Sequence, residues 1–131
     1  MTTTRLIAVV TLLAAAGCGD DAAGRRAVPG DDGAAIVVEV LNASGQDGAA
    51  RAGTRLLRRA GIDVVYFGNA DRLLDSTRII VRRGDRRGAE RVRAILQTGR
   101  IDEEPDSGRL LDASVFLGAD FTPPSLRDFH P

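Results

Sequence analysis

Residues 36–61 read IVVEVLNASGQDGAARAGTRLLRRAG, and the change of period inside this stretch decides the fold. Ile36-Val37-Val38-Glu39-Val40-Leu41 is β-branched and mostly apolar, the composition of a central strand. Asn42 to Gly48 is turn chemistry. After it Ala49, Ala52, Gly53, Leu56, Leu57 and Ala60 fall on one helical face, with Arg51, Arg55 and Arg58 on the opposite face. Gly61 stands where a left-handed C-cap belongs. Strand, turn and helix in that order open a βαβ unit.

The same alternation continues toward the C-terminus. Asp63 to Phe67 reads as a second strand, and Gly68-Asn69-Ala70-Asp71 begins a connection. Thr77 to Arg83 is a third strand centred on Ile79, Ile80 and Val81. Gly84-Asp85 then offers a turn and an N-cap. From Arg86 a second helix turns Ala89, Val92, Ile95 and Leu96 inward and ends at Gly99. Asp102-Glu103-Glu104-Pro105-Asp106 reads as an acidic loop before a last strand at Ala113 to Leu117. The order predicts an α+β, ferredoxin-like βαββαβ fold: a four-stranded sheet, strands one and three central, with two helices on one face. The other face of the sheet is left uncovered.

Around this core the chain changes character. Leu6 to Ala16 is an eleven-residue apolar run preceded by Arg5, the length of a signal core and too short to span a bilayer. Ala15-Ala16-Gly17-Cys18 follows and resembles the lipobox of bacterial lipoproteins, although Ala15 stands where Leu is commoner. The predicted organisation is a lipoprotein signal peptide at 1–17 and a flexible tether at 18–35 after a lipidated Cys18. The folded domain occupies 36–121, and a Pro-rich tail 122–131. Acylation by palmitate-like chains anchors such a protein to the membrane, facing the periplasm or the extracytoplasmic side.

Composition excludes several kinds of chemistry. The 131 residues hold one Cys and one His, so no intramolecular disulfide and no Cys/His zinc site can be built. Cys18 and His130 lie at opposite ends of the chain, which removes a Cys–His catalytic pair. No metal, no cofactor and no catalytic residue is expected, and the chain is read as a binding module, not an enzyme. Export and the lack of RNP-type aromatic motifs argue against a nucleic acid partner.

Three separated segments carry a family likeness. Val38-Glu39-Val40-Leu41-Asn42-Ala43-Ser44-Gly45, with Gly48 and Ala50 after it, resembles the opening of the C-terminal domain of LytR/CpsA/Psr proteins, with Ala43 in place of a common Gly. Asp63-Val64-Val65 with Gly68-Asn69-Ala70 resembles that family's second strand and turn. Val115-Phe116-Leu117-Gly118-Ala119-Asp120-Phe121 resembles its closing strand and Leu-Gly-Ala-Asp-Phe ending. In the family this module stands behind a catalytic domain that transfers wall polymers, for which this chain has no room. The resemblance therefore implies a stand-alone cell-envelope lipoprotein that binds a cell-wall glycan or polymer or supports wall-polymer attachment. The alternative is a protein–protein interaction subunit docking on an envelope or wall-polymer transferase complex.

Two groups of residues are candidates for an anion or glycan. Ser44 and Gly45 lie in a loop leading to a helix N-terminus, where backbone N–H groups receive anions, although the same residues serve equally to satisfy the loop itself. Arg78, Arg82, Arg83, Arg86 and Arg87 belong to a run of eight arginines in residues 72–93, opposed only by Asp75, Asp85 and Glu90 for a net of +5. Arginine forks suit phosphates and carboxylates, so peptidoglycan or an anionic wall polymer is the partner this cluster points to. The whole chain is neutral, with 18 basic and 18 acidic residues, so the expected surface is polarised.

Overall fold

The structure, a computed structural model, describes residues 35–124. The expected signal peptide, Cys18, nearly all of the tether and most of the Pro-rich tail lie outside the described residues. Seven elements follow one another: β1 (Val37–Asn42), α1 (Ala49–Arg59), β2 (Asp63–Asn69), β3 (Arg78–Val81), α2 (Arg86–Leu96), β4 (Arg100–Glu103) and β5 (Ala113–Leu117). They form an α+β fold with two helices and one five-stranded mixed sheet in the order β2-β1-β5-β3-β4.

The expected four strands are corrected to five, and the strand order differs from the ferredoxin-like expectation. Arg100–Glu103, whose last two residues, Asp102 and Glu103, open the stretch read as an acidic loop, pairs in parallel with β3. Its charges disguise it: only Ile101 is buried, and Asp102 and Glu103 are paired with arginines instead of solvated in a turn. In the expected fold strands one and three would be neighbours. Here β1 and β2 pair directly and in parallel, as do β3 and β4. The last strand, β5, lies between the two βαβ units, parallel to β1 and antiparallel to β3.

One core joins these elements. Val38 and Val40 of β1, Ile79 and Val81 of β3, and Ala113, Val115 and Leu117 of β5 point to the helical side. They meet Ala49, Ala50 and Leu57 of α1 and Ala89, Val92 and Leu96 of α2. The buried stripe of α1 is Ala49, Ala50, Gly53, Thr54 and Leu57, so the helix is turned from the expected face and Leu56 is only partly buried. Gly53 permits the close approach, since a Cβ there would come within 2.8 Å of Leu117 Cδ1. Gly61 ends α1 as expected, at φ +84°, in a Schellman arrangement: its N–H donates to Arg58 O and the Ile62 N–H to Leu57 O. Asp85 caps α2 by accepting from the Gly88 N–H at 3.4 Å.

Candidate functional site

The connections at the carboxyl ends of β1 and β5 form the crevice where α/β sheets commonly take ligands. Here the chain fills that crevice itself. The Leu74 N–H donates to Ala43 O at 2.8 Å, and Leu74 O accepts from the Ala119 N–H at 2.9 Å. Ser44 is consumed locally: its hydroxyl donates to Asn42 Oδ1 at 2.7 Å and accepts from the Gln46 N–H at 3.0 Å. Gly45, at φ +75°, makes the turn and lies against Leu73. This loop is ordered by its own polar groups, which is the chemistry its sequence equally offered.

The closing Leu117-Gly118-Ala119-Asp120-Phe121 run is a clamp on β3. Asp120 Oδ1 accepts from the Thr77 N–H at 2.8 Å and from Thr77 Oγ1 at 2.6 Å, while Oδ2 accepts from Thr98 Oγ1 at 3.0 Å. The Gly118 N–H returns a bond to Thr77 Oγ1 at 3.0 Å, and Phe121 is buried in the core. Burial raises the Asp120 carboxyl, but the hydrogen bonds from Thr77 and Thr98 outweigh it and hold the group below its ordinary value. The group is lower in the folded chain than in the unfolded one. Its stabilisation is therefore full above about pH 5 and is lost as pH falls through the carboxylate range. Chemical denaturation at successive pH values should show this loss, with a smaller acid dependence in Asp120→Asn; identical dependence in both would refute the clamp.

The arginine cluster is divided by the fold. Arg78 and Arg82 lie on the sheet face away from the helices, Arg86 at the start of α2, and Arg83 and Arg87 are exposed around the β3–α2 turn. Ser44 and Gly45 sit at the end of the sheet where β3 begins, the end of Arg78, because β3 runs antiparallel to β5, β1 and β2, whereas Arg82, Arg83, Arg86 and Arg87 lie toward the other end. Arg78 and Arg100 stand directly opposite in the β3–β4 register, a like-charged pair that would repel. Asp102 bridges them, with each guanidinium at 2.9 Å from one of its oxygens. The hydrogen bond from Arg100 holds the Asp102 carboxyl below its ordinary value against the opposing effect of burial, and Arg78 adds to the lowering. Glu104 pairs with Arg78 and Arg82, and Arg86 with Glu90 and Glu103. The acidic run thus lies on the basic one, and three of the five arginine forks are engaged.

The uncovered sheet face continues this pattern toward β1. Glu39 is 8% exposed; it accepts from Ser114 Oγ at 2.6 Å and from Arg109 Nη1, whose side chain reaches over from the β4–β5 connection. Arg82 Nε donates to Ser114 Oγ at 3.1 Å, which joins the two halves of the row. Beside it, Tyr66 faces Glu39 in the β1–β2 register and is 57% exposed. Its ring lies over Gly68, where a Cβ would come within 2.6 Å of the hydroxyl. Arg109, Ser114 and Asp102 were not singled out from the sequence for this role, nor was Glu39. The usable signal was alternation: with Val38 and Val40 inward, Glu39 must occupy the other face.

This surface offers fixed donors and acceptors and one flat aromatic ring. Among the described residues no group of three or more His, Cys, Asp or Glu side chains could hold a metal ion. Compared with known families, residues 35–121 match the one described as LytR cell envelope-related transcriptional attenuator. No curated protein and no solved structure matches the chain.

Proposed function

The chain belongs to the LytR C-terminal domain family, and from that cell-envelope-related premise we propose that it is a non-catalytic module that binds a wall glycan. The observation that carries this reading is the uncovered sheet face. There Arg109, Glu39, Ser114, Arg82, Glu104 and Arg78 form one connected polar row beside the exposed Tyr66 ring. Hydroxyl-rich sugars suit such a surface: their edges exchange hydrogen bonds with charged groups and their faces lie on an aromatic ring. Because the charges compensate one another, the preferred ligand is the glycan itself more than a polyanion. Export and acylation at Cys18, as the N-terminal sequence reads, would hold the domain within reach of the wall.

Pelleting with purified peptidoglycan tests the reading. The full chain is expected to pellet in low and in high salt, since screening weakens only interactions between exposed charges. Tyr66→Ala is expected to weaken binding roughly three- to tenfold. A folded chain that stays in the supernatant would sink the proposal, and binding abolished by salt would transfer it to an anionic polymer.

A further inference from the structure

A recess of about 230 Å³ opens on the uncovered face, lined by β3, β5 and the β2–β3 connection. Its floor is apolar. Ile80 and Phe116 alternate with the inward-facing Ile79, Val81, Val115 and Leu117 and so turn to this face, where Leu74 joins them. Ile80 stands outside the core, yet it is only 4% exposed. Arg72, Arg78 and Arg82 line the same recess. Two of these guanidiniums are anchored through Nε, Arg78 on Asp102 Oδ2 at 2.9 Å and Arg82 on Ser114 Oγ at 3.1 Å. Between them lies Glu104, with Oε1 at 3.4 Å from Arg78 Nη2 and Oε2 at 3.5 Å from Arg82 Nη1. These contacts are long and the Glu104 side chain is half exposed, so they hold it weakly. Arg72 pairs with no carboxylate among the described residues.

We propose that this recess seats the carboxylate of a ligand's small, apolar, carboxyl-terminal residue. Glu104 is the internal stand-in for that group: its carboxylate already spans the two anchored forks, so they are set for a carboxylate before any ligand arrives. The incoming group takes those nitrogens and Glu104 turns out to solvent. Asp102 and Ser114 keep the two guanidiniums in place during the exchange. Arg72 adds a positive charge that no resident acid offsets, and the apolar stem lies on Ile80, Leu74 and Phe116. A space of this size holds roughly eight non-hydrogen atoms at about 30 Å³ each, a water molecule's share of the liquid, which is one alanine-sized residue with its carboxylate. A second negative charge on the ligand would meet Asp102 and Glu104. The proposal rests on the reading of this face as the one that meets the wall, and it adds to the glycan the free end of a peptide branch.

Titration of the isotope-labelled full chain in detergent micelles with N-acetylalanine, followed by NMR, tests the proposal. N-acetylalaninamide, the same stem without the charge, is the control. The acid is expected to shift the amide signals of Arg72, Ile80 and Phe116 saturably at millimolar concentration, and the amide to leave them in place. Arg72→Gln should weaken binding about fivefold or more, while Glu104→Gln, which removes the competing carboxylate, should tighten it about threefold or more. No saturable shift up to about 0.1 M, an equal response to the amide, or weaker binding by Glu104→Gln overturns the proposal. So does tighter binding of propyl phosphate than of the acid. The soluble probe keeps this result apart from pelleting. If peptidoglycan pellets the chain and the probe fails, the glycan reading stands and this site falls; if the probe binds and the chain stays in the supernatant, the site stands and the wall reading falls.

Discussion

Leu57→Ala is expected to remove about 2–5 kcal/mol of stability, while Leu56→Ala one position earlier removes about 1 kcal/mol. The two leucines are adjacent in sequence and identical in chemistry, so the difference isolates the rotation of α1. Leu57 is fully buried in the core that α1 shares with β1, β2 and β5. Leu56 only borders that core. Truncating Leu57 leaves a void in a core that also holds Val38, Val40 and Val64, β-branched side chains too stiff to swing in and fill it. Truncating Leu56 mostly returns surface to water. In a domain of this size the first loss corresponds to a fall in melting temperature of roughly 10 °C or more. Thermal denaturation of both variants checks it, and equal losses would mean that α1 presents a different face.

Gly118→Ala should be as damaging, for a reason that has nothing to do with the apolar core. A Cβ at this position would come within 2.3 Å of the Ser76 carbonyl carbon, 2.6 Å of the Thr77 nitrogen and 2.7 Å of Ser76 O. All three are backbone atoms, so no side-chain rotation relieves the contact. Thr77, the residue before β3, would have to move, and Asp120 holds it by two hydrogen bonds. A loss of about 3 kcal/mol or more is expected, measurable by urea denaturation. Gly48→Ala is the informative contrast. Nothing lies within 4 Å of its Cβ position, so its cost is limited to the left-handed backbone at φ +79°, about 1–2 kcal/mol. If Gly118→Ala cost no more than that, the close packing of the closing motif on β3 would be disproved.

These two sites also mark how far the sequence can be read. Local signals were legible: the alternation of Val38 and Val40, the glycine after α1 and the aspartate before α2 all correspond to structure. The facing of α1 was less so, because alanine, glycine and threonine at positions 49, 50, 53 and 54 bury as readily as leucine while contributing little to an apolar pattern. β4 was hidden because Arg100, Asp102 and Glu103 are poor strand formers, stabilised here by neighbours far away in sequence. Neighbourhood in the sheet was not legible either. β1, β3 and β5 are all aliphatic enough to be interior, and nothing local tells which of them lies between the others. The arginine cluster shows the same limitation at the level of charge. A net of +5 along residues 72–93 predicts a basic patch, yet Asp102, Glu103 and Glu104 fold back onto it. The uncovered face could be anticipated from alternation, but its connected row depends on Arg109 arriving from a loop.

The placement of β5 also governs the order in which the domain can assemble. β1-α1-β2 and β3-α2-β4 are each made of segments close together in the chain, so each closes only short loops as it forms. Neither unit pairs with the other; both pair with β5. Until Ala113–Leu117 emerges, the nascent chain can hold at most two separate half-sheets, each with an aliphatic edge, β1 or β3, lacking its neighbour. The closing strand is thus a keystone, since it alone joins the two strand pairs into one sheet. A chain interrupted anywhere before it is not a smaller version of the domain but two unfinished ones.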